Sequence, residues 1–291
     1  MAGIQTNRTN IDLPTDVAQE IIQKTQEGSA IMQMARQIAL PGRGLSIPVV
    51  TSDPEAAWVG ETEQKPVSNP GLNTKTMRGY KLAVIVPFSN QFRRDAGALF
   101  DALIERLPGA LGAKFDATVF GGTEAPGDDF DTLASVNAHS LASDVYQGLV
   151  DADTDIALNG GITDGYIISP QAKGILLGAT DDNGRPLFIN SVAEGAIPMI
   201  LGSKTQISKG AFVAGSPNVV GFAGDWTKAM YGIVEGVDIQ FSSDASLTLA
   251  NGTTINLFQR NMFAVRAEIE VGFVADTSVF AKLTASSVPS F

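Results

Sequence analysis

From Val265 onward the chain alternates strictly. Val265, Ala267, Ile269, Val271 and Phe273 fall on one side, and Arg266, Glu268 and Glu270 on the other. A period of two over that length predicts a half-buried strand, Phe263 to Val274, with one face on a core and a charged face turned to something polar. Between Gln91 and Phe120 the period changes. Leu99, Leu103, Leu107, Leu111, Phe115 and Val119 recur every four residues, which predicts one long amphipathic helix, capped by Ser89 or Asn90 and stopped at Gly121-Gly122. Pro108 and Gly109 interrupt its middle. Pro108 deprives the Ile104 carbonyl of its hydrogen bond and Gly109 loosens the backbone, so a kink is expected, the alternative being two helices that meet at a corner.

The first 12 residues are polar and without period, a tail. Pro14-Thr15-Asp16 starts a helix with Val17, Ile21 and Ile22 on one face and Gly28 as its stop. Ser29 then caps a second short helix carrying Ile31, Met34, Ala35 and Ile38, ended by Pro41-Gly42. Leu45–Val50 and Leu82–Phe88 read as strands joined by a long Gly-, Pro-, Asn- and Thr-rich connection, a length that is uncommon inside a compact domain and is usually either functional or disordered. Trp58 stands on it beside Val59. A buried aromatic removes ~150–250 Å² from water, on the order of 4–6 kcal/mol as an upper bound, so a projecting Trp58 wants a pocket on another chain unless it folds back on its own. From 139 to 251 short elements alternate: helix Leu141–Leu149, strand Gly165–Ser169, helix Gln171–Leu177, a turn at Asp181-Asp182-Asn183-Gly184, then strands Ile200–Ile207 and Met230–Phe241. Leu247–Leu249 and Ile255–Leu257 flank an Asn251-Gly252 turn. The class is α+β or mixed α/β.

Composition removes most chemistry. The 291 residues hold no Cys and one His, His139, which excludes disulfides, thiolate nucleophiles and multi-histidine metal clusters. The longest apolar run, Leu82–Phe88, is far short of the ~18–20 residues of a membrane span, and MAGIQTNRTN is not a secretion signal. The net charge of −11 is concentrated between residues 95 and 250, with no Lys/Arg stripe of the kind that phosphate neutralisation demands. Sequence-specific DNA binding is not expected.

Motifs fail one by one. Asp151-x-Asp153-x-Asp155 begins like a calcium loop, but its sixth and twelfth positions are Ile156 and Ile162 instead of Gly and Glu. Gly202-Ser203-Lys204-Thr205 inserts Ser203 where a phosphate-binding loop has Gly followed directly by Lys. Gly127-Asp128-Asp129-Phe130-Asp131 is an acidic turn that reads as a solvated loop ahead of a weak cation site. His139 has no motif around it. No catalytic, cofactor or metal residue is assigned.

The order of parts is distinctive: helical arm, extended hairpin with an aromatic, long helix, inserted mixed domain, closing strand. It resembles the major capsid proteins of tailed phages, the Hong Kong 97-type fold. Ser29-Ala30-Ile31-Met32, Ile47-Pro48 and Ala57-Trp58-Val59-Gly60-Glu61 are similar to that family's arm and extended loop, and Gly184-Arg185-Pro186-Leu187-Phe188 to its axial domain. Gly224-Asp225-Trp226 with Tyr231-Gly232 resembles the segment before its later strands. Phe258-x-x-Asn261, Arg266-Ala267-Glu268 and Val279-Phe280-Ala281-x-Leu283 resemble its closing strand and tail.

The resemblance implies a non-enzymatic structural protein that assembles as pentamers and hexamers into an icosahedral shell around packaged double-stranded DNA, in the virion capsid, built in the host cytoplasm without a membrane or cofactor. It divides the chain into an N-terminal arm (1–44), an extended loop (45–88), a peripheral domain with the spine helix (89–138 and 252–291) and an axial domain (139–251). Some members begin with a cleaved scaffolding region. Here the arm starts almost at Met1, so a separate scaffolding protein is expected, with a portal and a maturation protease; whether a decoration protein joins them is left open. Some members cross-link a loop Lys to a partner Asn; Lys65, Lys75 and Lys81 are present, with no partner assigned. Inter-subunit contact is expected from Trp58, Glu61, Glu63, Lys65 and Arg78 on the loop and from Arg266, Glu268 and Glu270 on the closing strand, with Pro108 and Gly109 as the spine hinge. Two rivals stand beside this reading: an encapsulin-type compartment enclosing a cargo enzyme, and an enzyme with a site in the axial domain, Asp225 with Lys228 being its best pair.

Overall fold

The computed structural model of the chain describes residues 23–52, 58–59, 67, 71–91, 96–181, 183–188, 199–249 and 251–285. The polar tail and the helix start at Pro14, with Val17, Ile21 and Ile22, lie outside that set; residues 23–28 are helical. Ser29 caps helix α1 (Ala30–Met34), its hydroxyl accepting from the Met32 amide. The expected helix through Ile38 stops early. Arg36–Ala39 is instead strand β1, parallel to Met230–Ile233, because the sheet edge there offers ladder bonds that outweigh local helix propensity.

Strand β2 (Leu45–Ser52) pairs antiparallel with β3 (Gly71–Met77) as a two-stranded ribbon. The strand read at Leu82–Phe88 is β4 (Tyr80–Ser89), and it turns away from β2 to pair with the closing strand. Helix α2 (Ala96–Val119) runs unbroken through Pro108, which decides for one helix over two. At 1.5 Å per residue it spans roughly 36 Å. The side chains of Leu99 and Leu103 lie outside the described set; Leu107, Leu111, Phe115 and Val119 are all buried.

Next come β5 (Asn137–Ser140) and helix α3 (Val145–Leu158), whose start is set by the Asp144 cap and so falls later than Leu141. Strand β6 (Gly165–Ile168) and helix α4 (Pro170–Gly178) match the sequence reading within a residue or so. The single strand read at Ile200–Ile207 is a tight hairpin, β7 (Met199–Ile200) and β8 (Ser203–Ile207), because Leu201 and Gly202 take φ of 48° and 83°. At the predicted turn the Asp181 carboxylate accepts from the Asn183 and Arg185 amides; Asp182 lies outside the described residues. Strands β9 (Asn218–Gly224), β10 (Ala229–Ser242), β11 (Ser246–Thr248), β12 (Thr254–Asn256), β13 (Met262–Ala275) and β14 (Phe280–Ala285) complete the chain.

Two large sheets result, in the orders β1-β10-β13-β4 and β5-β14-β9-β6-β8-β7. Sheet membership cuts across the sequence partition at 251/252. Strand β10, from the expected axial block, pairs with β13. Strand β14, from the closing block, lies between β5 and β9 in the other sheet. The two blocks thus exchange a strand.

The alternation that predicted β13 is its burial pattern. Phe263, Val265, Ala267 and Ile269 pack with Leu107 and Leu111 of α2, and Phe273 meets Phe115 edge to face at 6.2 Å. Each of the larger side chains taken from water contributes about 1.5–3 kcal/mol, and Ala267 less. In the larger core Phe120 stacks on Phe222 at 4.7 Å, and Trp226 stands edge-on to Phe280 at 5.0 Å while donating Nε1–H to the Gly165 carbonyl. Gly165 and Gly224 face each other across β6 and β9, where a Cβ would come within 2.0 Å of Met34 and 2.1 Å of Phe280 respectively. A side chain at Gly224 would run into the Phe280 ring, and one at Gly165 would displace the end of Met34 and press on the Trp226 indole at 3.0 Å.

Candidate assembly interface

Among the described residues the β2–β3 ribbon is seated at its base. Met77 is fully buried with Leu40 and Val274, and Leu45 and Ile47 pack around them. Beyond that seat, Trp58 is 105% exposed, with Val59 and Val67 also exposed. Among the described residues none covers Trp58. Glu61, Glu63 and Lys65 lie outside the described residues.

Arg266, Glu268 and Glu270 do share one face of β13. Arg266 reaches Glu268 at 3.3 Å and donates to the Gln240 side chain at 2.8 Å. The register places Lys81 beside Glu270, Ala83 beside Glu268 and the exposed Ile85 beside Arg266 on β4, with Asp238 opposite Glu268 on β10. Register shifts in β10 between Ile233 and Asp238 open a shallow recess there, lined by Lys81, Asp238, Glu268 and Glu270 among others. The face is acidic with single cations set into it.

Arg78 is placed elsewhere. Its Nε lies 3.1 Å from Asp129, at the ribbon base. Lys75 beside it binds Asp131 at 2.8 Å and the Ala275 carbonyl at 2.7 Å. The acidic turn is therefore occupied by the chain's own cations, a pairing that composition could not reveal. Pro108 is buried in mid-α2 while Gly109 next to it is exposed.

A group missed in the sequence joins three segments. Asp116 on α2 is 1% exposed and accepts hydrogen bonds from the Ser29 hydroxyl (2.5 Å), the Ala30 amide (2.9 Å), the Ile31 amide (3.4 Å) and the Ser208 hydroxyl (3.1 Å). Burial pushes its carboxyl above the usual value, and the four donors pull against that shift. The available signal was its place one residue after Phe115, at the edge of the four-residue stripe.

Asp225 caps the turn Trp226–Lys228, one carboxylate oxygen accepting from the Thr227 amide and hydroxyl and the other from the Ile162 amide at 3.4 Å. Burial, with Asp225 nearby, raises the Asp164 carboxyl, whose oxygen accepts from the Trp226 amide. His139 lies 3.1 Å from Asp155, which hydrogen bonds from Asn137 and His139 hold below the ordinary carboxylate value.

The phage capsid family matches residues 11–284. The chain is 27% identical over 289 residues to a probable major capsid protein of Mycobacterium phage D29, covering 94% of this chain and 89% of that one. A solved structure from Gordonia phage Cozz superposes with a TM-score of 0.71 at 20% identity, over 89% of this chain and 87% of that chain. The capsid of a native GTA particle does so with a TM-score of 0.63 at 14% identity, over 99% and 96%.

Proposed function

This chain belongs to the phage capsid family and is a structural protein of the capsid shell, and we propose that it builds that shell as pentamers and hexamers in the Hong Kong 97-type arrangement. The curated relatives are phage major capsid proteins, which does not favour the encapsulin reading. The observation that carries the proposal is the fully exposed Trp58 beyond a ribbon that, among the described residues, is seated at its base. In this reading the ribbon lies over a neighbouring copy and Trp58 fills a pocket there. The acidic β13 face, with Arg266, Glu268 and Glu270, meets charges of an adjacent subunit, where isolated pairs contribute ~0–1 kcal/mol each but fix register in every copy.

The parts of the fold take roles accordingly. The arm is 1–44 and the loop is the ribbon. The spine is α2 with the four-stranded sheet, and the axial portion is the six-stranded sheet, β14 included. The shell encloses double-stranded DNA without reading its sequence, performs no catalysis and is assembled in the host cytoplasm with a scaffolding protein, portal and protease. Electron microscopy of the expressed protein tests this: closed shells with five-fold vertices are the expected result. Dispersed subunits under every assembly condition, scaffold supplied, would overturn it.

A further inference from the structure

We propose that Lys75, Arg78, Asp129 and Asp131 form a two-point clamp that sets the angle at which the β2–β3 ribbon leaves the body, and so position it for docking; the docking half rests on the reading above. A two-stranded ribbon has little stiffness of its own, and this one belongs to neither large sheet. Only Arg78 and Gly79 separate the end of β3 from the start of β4. On the other side the chain enters through Pro41 to Gly44, a turn closed by the Gly44 amide on the Pro41 carbonyl, with Gly44 at φ 85°. Both connections pivot about buried Met77.

The two cations flank that pivot. Lys75 lies two residues outward and binds both Asp131 and the Ala275 carbonyl at the end of β13. Arg78 lies one residue inward and binds Asp129. Two attachments on either side of one pivot resist both bending and twisting, which a single ion pair would not.

The acidic turn is in turn fixed to the body. Asp131 accepts from the Ala275 amide at 3.0 Å, and its own amide donates to the Phe273 carbonyl. The Asp129 amide donates to the Tyr80 hydroxyl, and Phe130 packs within 6.1–6.2 Å of Tyr80, Phe115 and Phe273. The anions are thus rigid and the cations ride on the ribbon. Lys75 and Asp131 are only 34% and 26% exposed, while Arg78 and Asp129 at 63% and 32% form the outer point. The outer point tolerates charge exchange best, since Asp129's carboxylate has no backbone duty in these contacts.

The chain contains no Cys, so introduced cysteines are unique labelling sites. Spin labels at Val67→Cys on the ribbon loop and Ser143→Cys on the body report the angle in unassembled subunits. Arg78→Asp is expected to broaden that distance distribution and to lower shell yield at least ten-fold. The exchanged variant Arg78→Asp/Asp129→Arg should restore the narrow distribution and bring shell yield to within about three-fold of the parent. An unchanged distribution in Arg78→Asp, or failure of the exchange to restore it while the subunit melts normally, overturns the clamp. A broadened distribution with undiminished shell yield leaves the clamp and overturns docking by the ribbon.

Discussion

Asp116 shows what one residue can hold. Its carboxylate gathers four donors from the arm, from Ser208 and thus from both sides of α2. An amide in its place would present an NH₂ group to donors, leaving some unsatisfied. Asp116→Asn is therefore expected to lower subunit stability by about 1–3 kcal/mol in urea unfolding. The pH dependence follows from the raised carboxyl. A folded value above the unfolded value of 3.8 means the native state holds the proton more tightly. Asp116's linkage contribution is present in full below 3.8 and is lost as pH rises through the folded value. The stability difference between the parent and Asp116→Asn should thus be largest in acid and narrow towards neutrality; a difference that widens with pH would refute the assignment. Trp58 is the opposite case, a large side chain that stands fully exposed. Trp58→Ala is expected to leave the subunit's melting temperature and circular dichroism unchanged while reducing shell yield, as sedimentation would show.

At the scale of elements, α2 carries its own contradiction. Its apolar stripe binds both sheets, Leu107 and Leu111 under one and Phe115 and Val119 under the larger core, yet Pro108 breaks its ladder in the middle. Pro108 is buried by packing that offsets part of a cost of ~3 kcal/mol, whereas Gly109 faces open space. A Cβ at Gly109 meets nothing within 4 Å. Gly109→Ala should stabilise the isolated subunit by about 0.5–1 kcal/mol, read as a higher melting temperature. If the spine hinges at Pro108-Gly109 during shell expansion, the same variant should slow conversion of precursor to mature particles; equal rates would remove the hinge. The elements themselves were unequally legible. α2, β6, α4 and β13 follow their periods closely. β3 escaped notice because Gly71–Met77 has almost no apolar alternation, and β1 because Ile38 continues a helical spacing that a sheet edge overrides.

Across the whole molecule, charge and topology decide behaviour. A net charge of −11 without a basic stripe disfavours tight binding of a polyanion. Free subunits should bind duplex DNA weakly, with little change between low and moderate salt, in a fluorescence titration. Tight binding that collapses with salt would contradict a shell wall of this kind. The exchange of β10 and β14 between the sequence blocks ties the two sheets together. Strand β14 lies inside the six-stranded sheet, between the edge strand β5 and β9, so the chain's last described strand completes a core begun at β5.

The sequence by itself determined the periods and therefore which faces are buried: β13's inner row, α2's stripe, the turn at Asp181, and the absence of cysteine chemistry. Those depend on side-chain spacing of two or four, which is local. Only the tertiary structure decided the partners: β4 with β13 instead of β2, β14 between β5 and β9, β1 on β10, and Lys75 and Arg78 on the acidic turn. A period states that a face must be covered but carries no information about which distant segment covers it. Lys81 meets Glu270, and Ser29 meets Asp116, only because the whole core closes at once.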